Sequence, residues 1–277
     1  MKRAIVFLFL IGTLYQGVAQ EIRTASFNIR LKTDNDVGNF WDDRRDPLCN
    51  LVLFHEFDIF GIQEGFIEQV KDMKDRLVDY SYIGVGRDDG AEKGEHSAIF
   101  YSNKRFKMLK NGTFWLSGTD TDRPNKGWDA ALPRICTWGI FQDKKNGKKF
   151  IFMNTHFDHV GVEARRESAK QILAKAKEFA KDLPLILTGD FNIDEKNEAY
   201  FTLANSGIVQ DAYELASLKY APNSTFNGWG KSLKQNGRID HIFITKPFKV
   251  LKFGILTDTY MGKFPSDHFP ILSVLKW

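Results

Sequence analysis

The stretch Leu185-Ile186-Leu187-Thr188-Gly189-Asp190-Phe191-Asn192 decides how this chain is read. Pro184 and Gly189 bound a short apolar run, the pattern of a strand buried on both faces; a helix would need roughly ten residues or more. Such a strand belongs in the middle of a sheet, and this one delivers a carboxylate (Asp190) and a carboxamide (Asn192) at its end. Continued extended backbone would aim both groups the same way and turn Phe191 back into the body. Gly, Asp and Asn are also ordinary turn formers, so the stretch alone does not separate a site from a turn. The rest of the chain does, because it repeats the arrangement.

Working outward, Ile22–Asn28 reads as a strand ending in a carboxamide, Asp58–Glu64 as one ending in a carboxylate, and Lys148–His156 as one ending in an imidazole. Two later apolar runs begin with such groups instead, at Arg238-Ile239-Asp240-His241-Ile242 and at Ser266-Asp267-His268-Phe269-Pro270, the latter opening the last strand. Helices are expected from Asp42 or Asp43 to about Phe57, with Leu48, Leu51 and Val52 on one face, and over Glu68–Val78, Gly161–Lys181 and Asn197–Asn205. Further strands are expected at Tyr80–Val85, Ser97–Tyr101, Phe106–Leu109, Thr113–Leu116 and Arg134–Gln142, the last joined to Lys148–His156 through Asn146-Gly147 as a two-residue hairpin turn. Ser117–Pro133 reads as a long polar loop, and the chain from Asn205 to Gly237 as irregular. With no repeat, low-complexity tract or linker, this is one α/β domain.

In a mixed sheet the start of one strand lies beside the end of its antiparallel neighbour. Asn28, Glu64, His156, Asp190, Asn192, Asp240, Asp267 and His268 can therefore share one rim. Oxygen donors dominate the set, and Glu64 with Asn28 and Asp267 suits a hard cation, Mg²⁺ or alternatively Mn²⁺. Beside such an ion Asp190 would orient or deprotonate a water, and Asn192 would hold that water or a phosphate oxygen. His156 and His268 would donate to non-bridging oxygens, and Asp240 would orient a histidine. This is equipment for hydrolysing a phosphoester. Arg165, Arg134, His96 and Trp128 are the candidates to face the substrate. His159, three residues after His156, invites a zinc reading, but positions three apart on an extended strand do not aim at one ion.

Taken in order, Ser26-Phe27-Asn28, Gln63-Glu64, Asn154-Thr155-His156, Gly189-Asp190-Phe191-Asn192, Arg238-Ile239-Asp240-His241-Ile242 and Ser266-Asp267-His268-Phe269-Pro270 resemble the motifs of the endonuclease/exonuclease/phosphatase superfamily, which includes deoxyribonuclease I and the neutral sphingomyelinases. The resemblance runs from Glu21 to Trp277, and exported bacterial members are the most similar in the stretch after Asp158. It implies a four-layered α/β/β/α sandwich, two mixed sheets face to face with helices outside, and Mg²⁺-dependent phosphoester hydrolysis. One departure is Arg30, which stands where exonuclease III-like enzymes carry an acid.

Composition narrows the substrate. The 277 residues are 43% hydrophobic, enough for a sizeable core. Met1–Ala19 carries Lys2-Arg3, an apolar run and Gly17-Val18-Ala19, and reads as a cleaved secretory signal, leaving residues 20–277 as a secreted or periplasmic domain. No later run approaches the roughly 20 apolar residues of a membrane helix. Removing Lys2 and Arg3 from the 39 basic residues leaves 37 against 35 acidic ones, a weak footprint for binding duplex nucleic acid. Cys49 and Cys136 are either a pair or, the reading placed first, two inert buried thiols. The expected function is exported, Mg²⁺-dependent hydrolysis of small phosphodiesters or phosphomonoesters. A secreted nuclease, a sphingomyelinase-like lipid phosphodiesterase and a non-catalytic binding module on the same fold are the alternatives.

Overall fold

In a computed structural model describing residues 21–233 and 237–277, the chain runs β1 (Glu21–Asn28), α1 (Trp41–Phe54), β2 (Ile59–Gln63), α2 (Ile67–Arg76), β3 (Tyr80–Ile83), β4 (Ile99–Ser102), β5 (Phe106–Trp115), β6 (Ile135–Asp143) and β7 (Lys149–His156). It continues with α3 (Val162–Phe179), β8 (Leu185–Asp190), α4 (Glu198–Ala204), β9 (Gln210–Asp211), α5 (Ala212–Leu215), β10 (Leu218–Tyr220), β11 (Asp240–Ile244), β12 (Lys249–Ile255) and β13 (Ile271–Lys276). The expected signal segment lies outside the described residues. None of the described helices is long and apolar enough to cross a membrane.

Two sheets form, in the orders β10-β12-β13-β1-β2-β4-β3 and β5-β6-β7-β8-β11-β9. Each has a parallel pair joined through a helix near its centre, β1 with β2 through α1 and β7 with β8 through α3; the other pairings are antiparallel except that of β10 with β12 at one edge. Both sheets are therefore mixed, and the helices lie outside them in an α/β/β/α sandwich.

The alternation of β1 shows how the layers are assigned. Ile22 enters the core between the sheets with Phe150, Phe152, Ile186 and Ile271, while Ala25 and Phe27 pack under α1 and α2 against Trp41, Leu48, Val70 and Met73. A third cluster under α3 and α4 joins Ile172, Leu203 and Phe243 to Phe191, which does turn inward as its place after Asp190 implies. Toward the rim the layer between the sheets becomes polar. Gln63 donates to Ser26 Oγ (3.1 Å) and Asn154 Oδ1 (2.7 Å), and Thr188 donates to the same Asn154 oxygen (3.0 Å). Gly61 leaves room for this, since a Cβ there would stand 2.1 Å from Asn154 Oδ1.

Several local expectations need correction. The hairpin loop between β6 and β7 is longer than two residues: Asp143 N donates to Lys148 O, and Gly147 (φ 74°) closes the turn by donating to Asp143 O. β5 is a single strand with an irregularity between Met108 and Lys110, which broke its alternation into two apparent strands. The last strand begins at Ile271 rather than Ser266, because Ser266–His268 is held by side-chain and loop contacts. The region read as irregular contains β9, α5 and β10, elements of two to four residues. Cys49 and Cys136 are both free and buried, and burial pushes the Cys49 thiol up to about 12; the inert reading holds.

Candidate active site

Strand register brings the site together. Across the six-stranded sheet, Asp190 at the end of β8 sits opposite His156 at the end of β7 and Asp240 at the start of β11. In the facing sheet Asn28 and Gln63 are partners at the ends of β1 and β2, so Glu64 follows at the same level. Asn28 spans the gap, its Nδ2 donating to Glu64 Oε1 and to Asp190 Oδ2, each at 2.9 Å.

Just beyond three of these strand ends the backbone turns left-handed at non-glycine residues, Arg30 (φ 57°), Glu64 (φ 64°) and Asn192 (φ 49°). Such conformations cost on the order of 1–3 kcal/mol each and persist only where surrounding contacts enforce them. The expectation that extended backbone aligns Asp190 with Asn192 is therefore corrected. The chain turns, Asn192 N donates to Asp190 Oδ1 (3.0 Å), and the carboxamide swings under His156. Its Nδ2 donates to Phe157 O (3.0 Å), which fixes the amide orientation, and lies 3.2 Å from His156 Nε2. That nitrogen must then be an acceptor, so the His156 proton sits on Nδ1, which faces Glu95 Oε2 at 3.6 Å.

Among the described residues, two groups of His, Asp and Glu are close enough to share a metal ion: Glu64, His156 and Asp190, and Asp190, Asp240 and His268, each with ligand atoms within 4.8 Å of one another. In the first, the carboxylates of Glu64 and Asp190 suit a hard divalent cation that completes its shell with water and substrate, while the one lone pair of His156 is taken up by Asn192. Of the expected metal set, Glu64 belongs to this group and Asn28 and Asp267 stand beside it: the Asn28 oxygen accepts from Arg30 N (3.0 Å), and Asp267 Oδ2 faces Arg30 Nε (3.7 Å). Arg30 occupies the acid side of the pocket, bonded to Asp36 through Nε (2.8 Å) and Nη2 (3.1 Å) and 3.8 Å from Glu64 Oε2. The bond to Asp36 outweighs burial and strengthens its hold on its proton.

His268 Nδ1 meets Asp240 Oδ2 at 2.9 Å, and its Nε2 stands 3.8 Å from Asp190 Oδ2. Burial opposes the imidazolium, but Asp240 outweighs it and pushes His268 up to about 10. For His156 burial and the nearby Arg134 charge act together and push it down to about 3. Burial, then the Asp240 charge, raises Asp190, and burial pushes Asp267 up to about 6 even though the His268 charge opposes the shift.

These groups line a cavity of about 580 Å³, within the roughly 300–1,000 Å³ of small-molecule sites. Of the residues singled out in the sequence, Glu64, Arg134, His156, Asp190, Asn192, Asp267 and His268 line it, with Asn28 and Asp240 bonded behind them. Arg165, His96 and Trp128 are not among its lining. Arg165 Nη1 donates to Asp158 O (2.9 Å), His96 is buried facing Gly65 O, and Trp128 stays on the Ser117–Pro133 loop. Arg30, Glu95, Leu132, His159 and Phe226 are lining residues that the sequence reading assigned no place in the pocket. Two of them carried a signal in the sequence, Arg30 as a departure within a motif and His159 by its closeness to His156.

Residues 25–268 match the sequence profile of the Endonuclease/Exonuclease/phosphatase family, and the chain belongs to that family. It is an enzyme of phosphoester hydrolysis, of a class generally dependent on metal ions. Among solved structures, a mannosyl-6-phosphatase of Bacteroides thetaiotaomicron is 46% identical and superposes with a TM-score of 0.90 over 92% of this chain and 100% of that one. An uncharacterised protein of Acanthamoeba polyphaga mimivirus is 28% identical across 85% of this chain and 92% of its own length. The Ccr4 3'-5'-exoribonuclease subunit of the CCR4-Not complex of Mycosarcoma maydis is 22% identical over 83% of this chain, which spans 44% of that protein.

Proposed function

We propose that the chain is an exported, Mg²⁺-dependent phosphomonoesterase that removes phosphate from a small phosphorylated sugar. The observation that carries the reading is Asp190 held 3.6 Å from a neutral His156 and 3.8 Å from a charged His268 at the floor of a pocket sized for one small molecule. A 46% identical neighbour named for removal of a sugar phosphate supports the substrate class. The signal-like Met1–Ala19 supports export, to be tested by fractionating cells that express the full chain.

Mg²⁺ held by Glu64, with Asn28 or Asp267 as a further protein donor, would supply charge neutralisation at the phosphate. The protein's own groups supply the rest. Asp190, raised by burial and by Asp240, is placed to take a proton from water. His268, kept cationic and oriented by Asp240, donates Nε2–H to a phosphoryl oxygen as charge builds. Asn192, bonded to Asp190 through its amide, fixes the angle of that carboxylate. Arg30 screens the acids on the β1 side so that an anion can approach.

The test is a hydrolysis panel with purified protein, Mg²⁺ and, in parallel, EDTA. It covers mannose 6-phosphate, glucose 6-phosphate, phenyl phosphate, bis-p-nitrophenyl phosphate, sphingomyelin and single-stranded RNA. Turnover of the sugar phosphates at least tenfold above the diesters, abolished by EDTA, is expected. Preferential degradation of RNA or of sphingomyelin would replace this reading with the nuclease or lipase one, and inactivity throughout would leave a binding module.

A further inference from the structure

The pocket has a second wall, away from Glu64 and Asp267, that the hydrolytic groups do not use. Arg134 enters it from the start of β6, is 4% exposed and is fixed on two sides. Its Nε donates to Asp158 Oδ2 (3.2 Å) and its Nη2 to His159 Nδ1 (2.9 Å). The remaining nitrogen, Nη1, is buried without a hydrogen-bond partner and lies 4.0 Å from Glu95 Oε2. This buried nitrogen faces Glu95 and helps balance its charge from behind.

The Arg134 contact also settles the state of His159. A guanidinium can only donate, so Nδ1 of His159 must present its lone pair and the proton must sit on Nε2. His159 lines the same cavity, and Nε2–H is the ring donor that Arg134 leaves over. Glu95 lines it too, as an acceptor held by Arg87 Nη1 (2.7 Å). The wall thus offers a carboxylate that can only accept and a fixed ring N–H that can only give. Arg87 and Arg134 are already bonded to Glu95 and Asp158, so the wall has no spare cation to hold a phosphate. A hydroxyl, which gives one hydrogen and takes another, satisfies an acceptor and a donor at once.

Resting on the phosphomonoesterase reading above, we infer that Glu95, Arg134 and His159 form a subsite for two neighbouring hydroxyls of the sugar ring whose phosphate lies at Asp190. One hydroxyl donates to Glu95, whose charge Arg134 Nη1 balances from 4.0 Å behind it; its neighbour accepts from His159 Nε2–H. Selectivity for a sugar over an aryl or alkyl phosphate then resides in this wall, and phosphate capture in the other.

His159→Asn isolates the claim, because Asn Oδ1 can stand in for Nδ1 and keep Arg134 in place while the Nε2–H donor is lost. The ratio of kcat/KM on mannose 6-phosphate to that on phenyl phosphate is expected to fall about tenfold, the size of one lost hydrogen bond to a ligand. The Ki of free mannose as an inhibitor is expected to rise by a similar factor. Equal losses on both substrates, or no loss, would overturn the subsite. Should the wild type hydrolyse no phosphomonoester, the proposed function fails separately. Calorimetry with methyl α-mannoside in EDTA then still decides the subsite: binding that His159→Asn weakens supports it, and absence of binding overturns it.

Discussion

The two imidazoles beside Asp190 are nearly equidistant from it, His156 Nε2 at 3.6 Å and His268 Nε2 at 3.8 Å, yet their surroundings drive them to opposite charge. Behind His268 the second ring nitrogen meets Asp240 at 2.9 Å, while behind His156 it looks past Glu95 at 3.6 Å toward Arg134. The shared carboxylate therefore does not set either charge; the partner on the far nitrogen does. One wall of the pocket carries a fixed positive donor suited to a developing oxyanion. The other sets a neutral imidazole beside the paired charges of Arg134 and Glu95, a hydrogen-bonding surface on which a hydroxyl-bearing substrate can lie.

The comparison breaks most completely if the group between the walls is removed. Asp190→Asn is expected to lower kcat on the best substrate by roughly 10²–10⁴-fold, as for loss of a general base, measured under saturating Mg²⁺. Activity within a few fold of wild type would mean that Asp190 organises the walls and does no chemistry. Next comes the difference between the walls themselves. Asp240→Asn is expected to cost about 10²-fold in kcat, because it strips His268 of both charge and orientation. Glu95→Gln, at a longer contact to an already neutral ring, should cost roughly tenfold or less in kcat and act more on KM. A reversed order would show that the charged imidazole is His156.

A further test reaches the scaffold of the charged wall. Arg44, on α1, is fully buried and gathers the loops that flank Arg30 and Asp267. It donates to the carbonyls of Ile29 and Arg30 after β1, of Asn39, and of Pro265 before β13, and stacks between Trp41 and Trp229. Burial alone lowers its proton affinity, to about 10, so the carbonyls hold a charge that no carboxylate bonds directly. Arg44→Met keeps much of the volume and orphans buried carbonyls. A loss of about 3 kcal/mol is expected, or roughly 6–12 °C in melting temperature for a chain of this size. A shift under about 2 °C in calorimetry would show that the loops hold themselves.

Arg44 also marks where sequence reasoning stops. The strand-end acids, amides and imidazoles were legible because strands deliver their last residue to a rim regardless of what surrounds them, and register then put His156, Asp190 and Asp240 in one row. A single α/β domain followed from apolar runs of strand length alternating with amphipathic helices, and its four layers from the family resemblance. An arginine three positions after Trp41 reads as a solvated helix residue, since its partners are main-chain carbonyls up to 221 positions away and carbonyls have no sequence signature. Glu95 and His159 were hidden for the same reason, their meaning lying in contacts with Arg87 and Arg134. The left-handed turns at Arg30, Glu64 and Asn192 run against residue preference, and β9, α5 and β10 are too short to show a period.

A third imidazole sharpens the rule at the smallest scale. His241 neighbours Asp240 in β11 but points to the opposite face, its Nε2 at 2.9 Å from Ile193 O and its Nδ1 at 4.0 Å from Asp211 Oδ2. A carboxylate is thus present, as for His268, but at a distance where burial wins and Arg238 opposes it, and the ring is pushed below the ordinary imidazole value. A group whose affinity for protons falls on folding binds more of them when unfolded. Its contribution to stability is complete above about pH 6.5 and is lost as the pH drops toward the folded value. In EDTA, to remove any metal, the wild type is expected to lose melting temperature between pH 7.5 and 5.5. His241→Gln, which keeps a donor for Ile193 O and cannot titrate, should lose less. A wild type that instead loses less than His241→Gln would place His241 in the charged state beside Asp211, and contact with a carboxylate at 4.0 Å would then suffice where the comparison of His156 with His268 requires a bond; identical pH dependence would show that burial and Asp211 cancel.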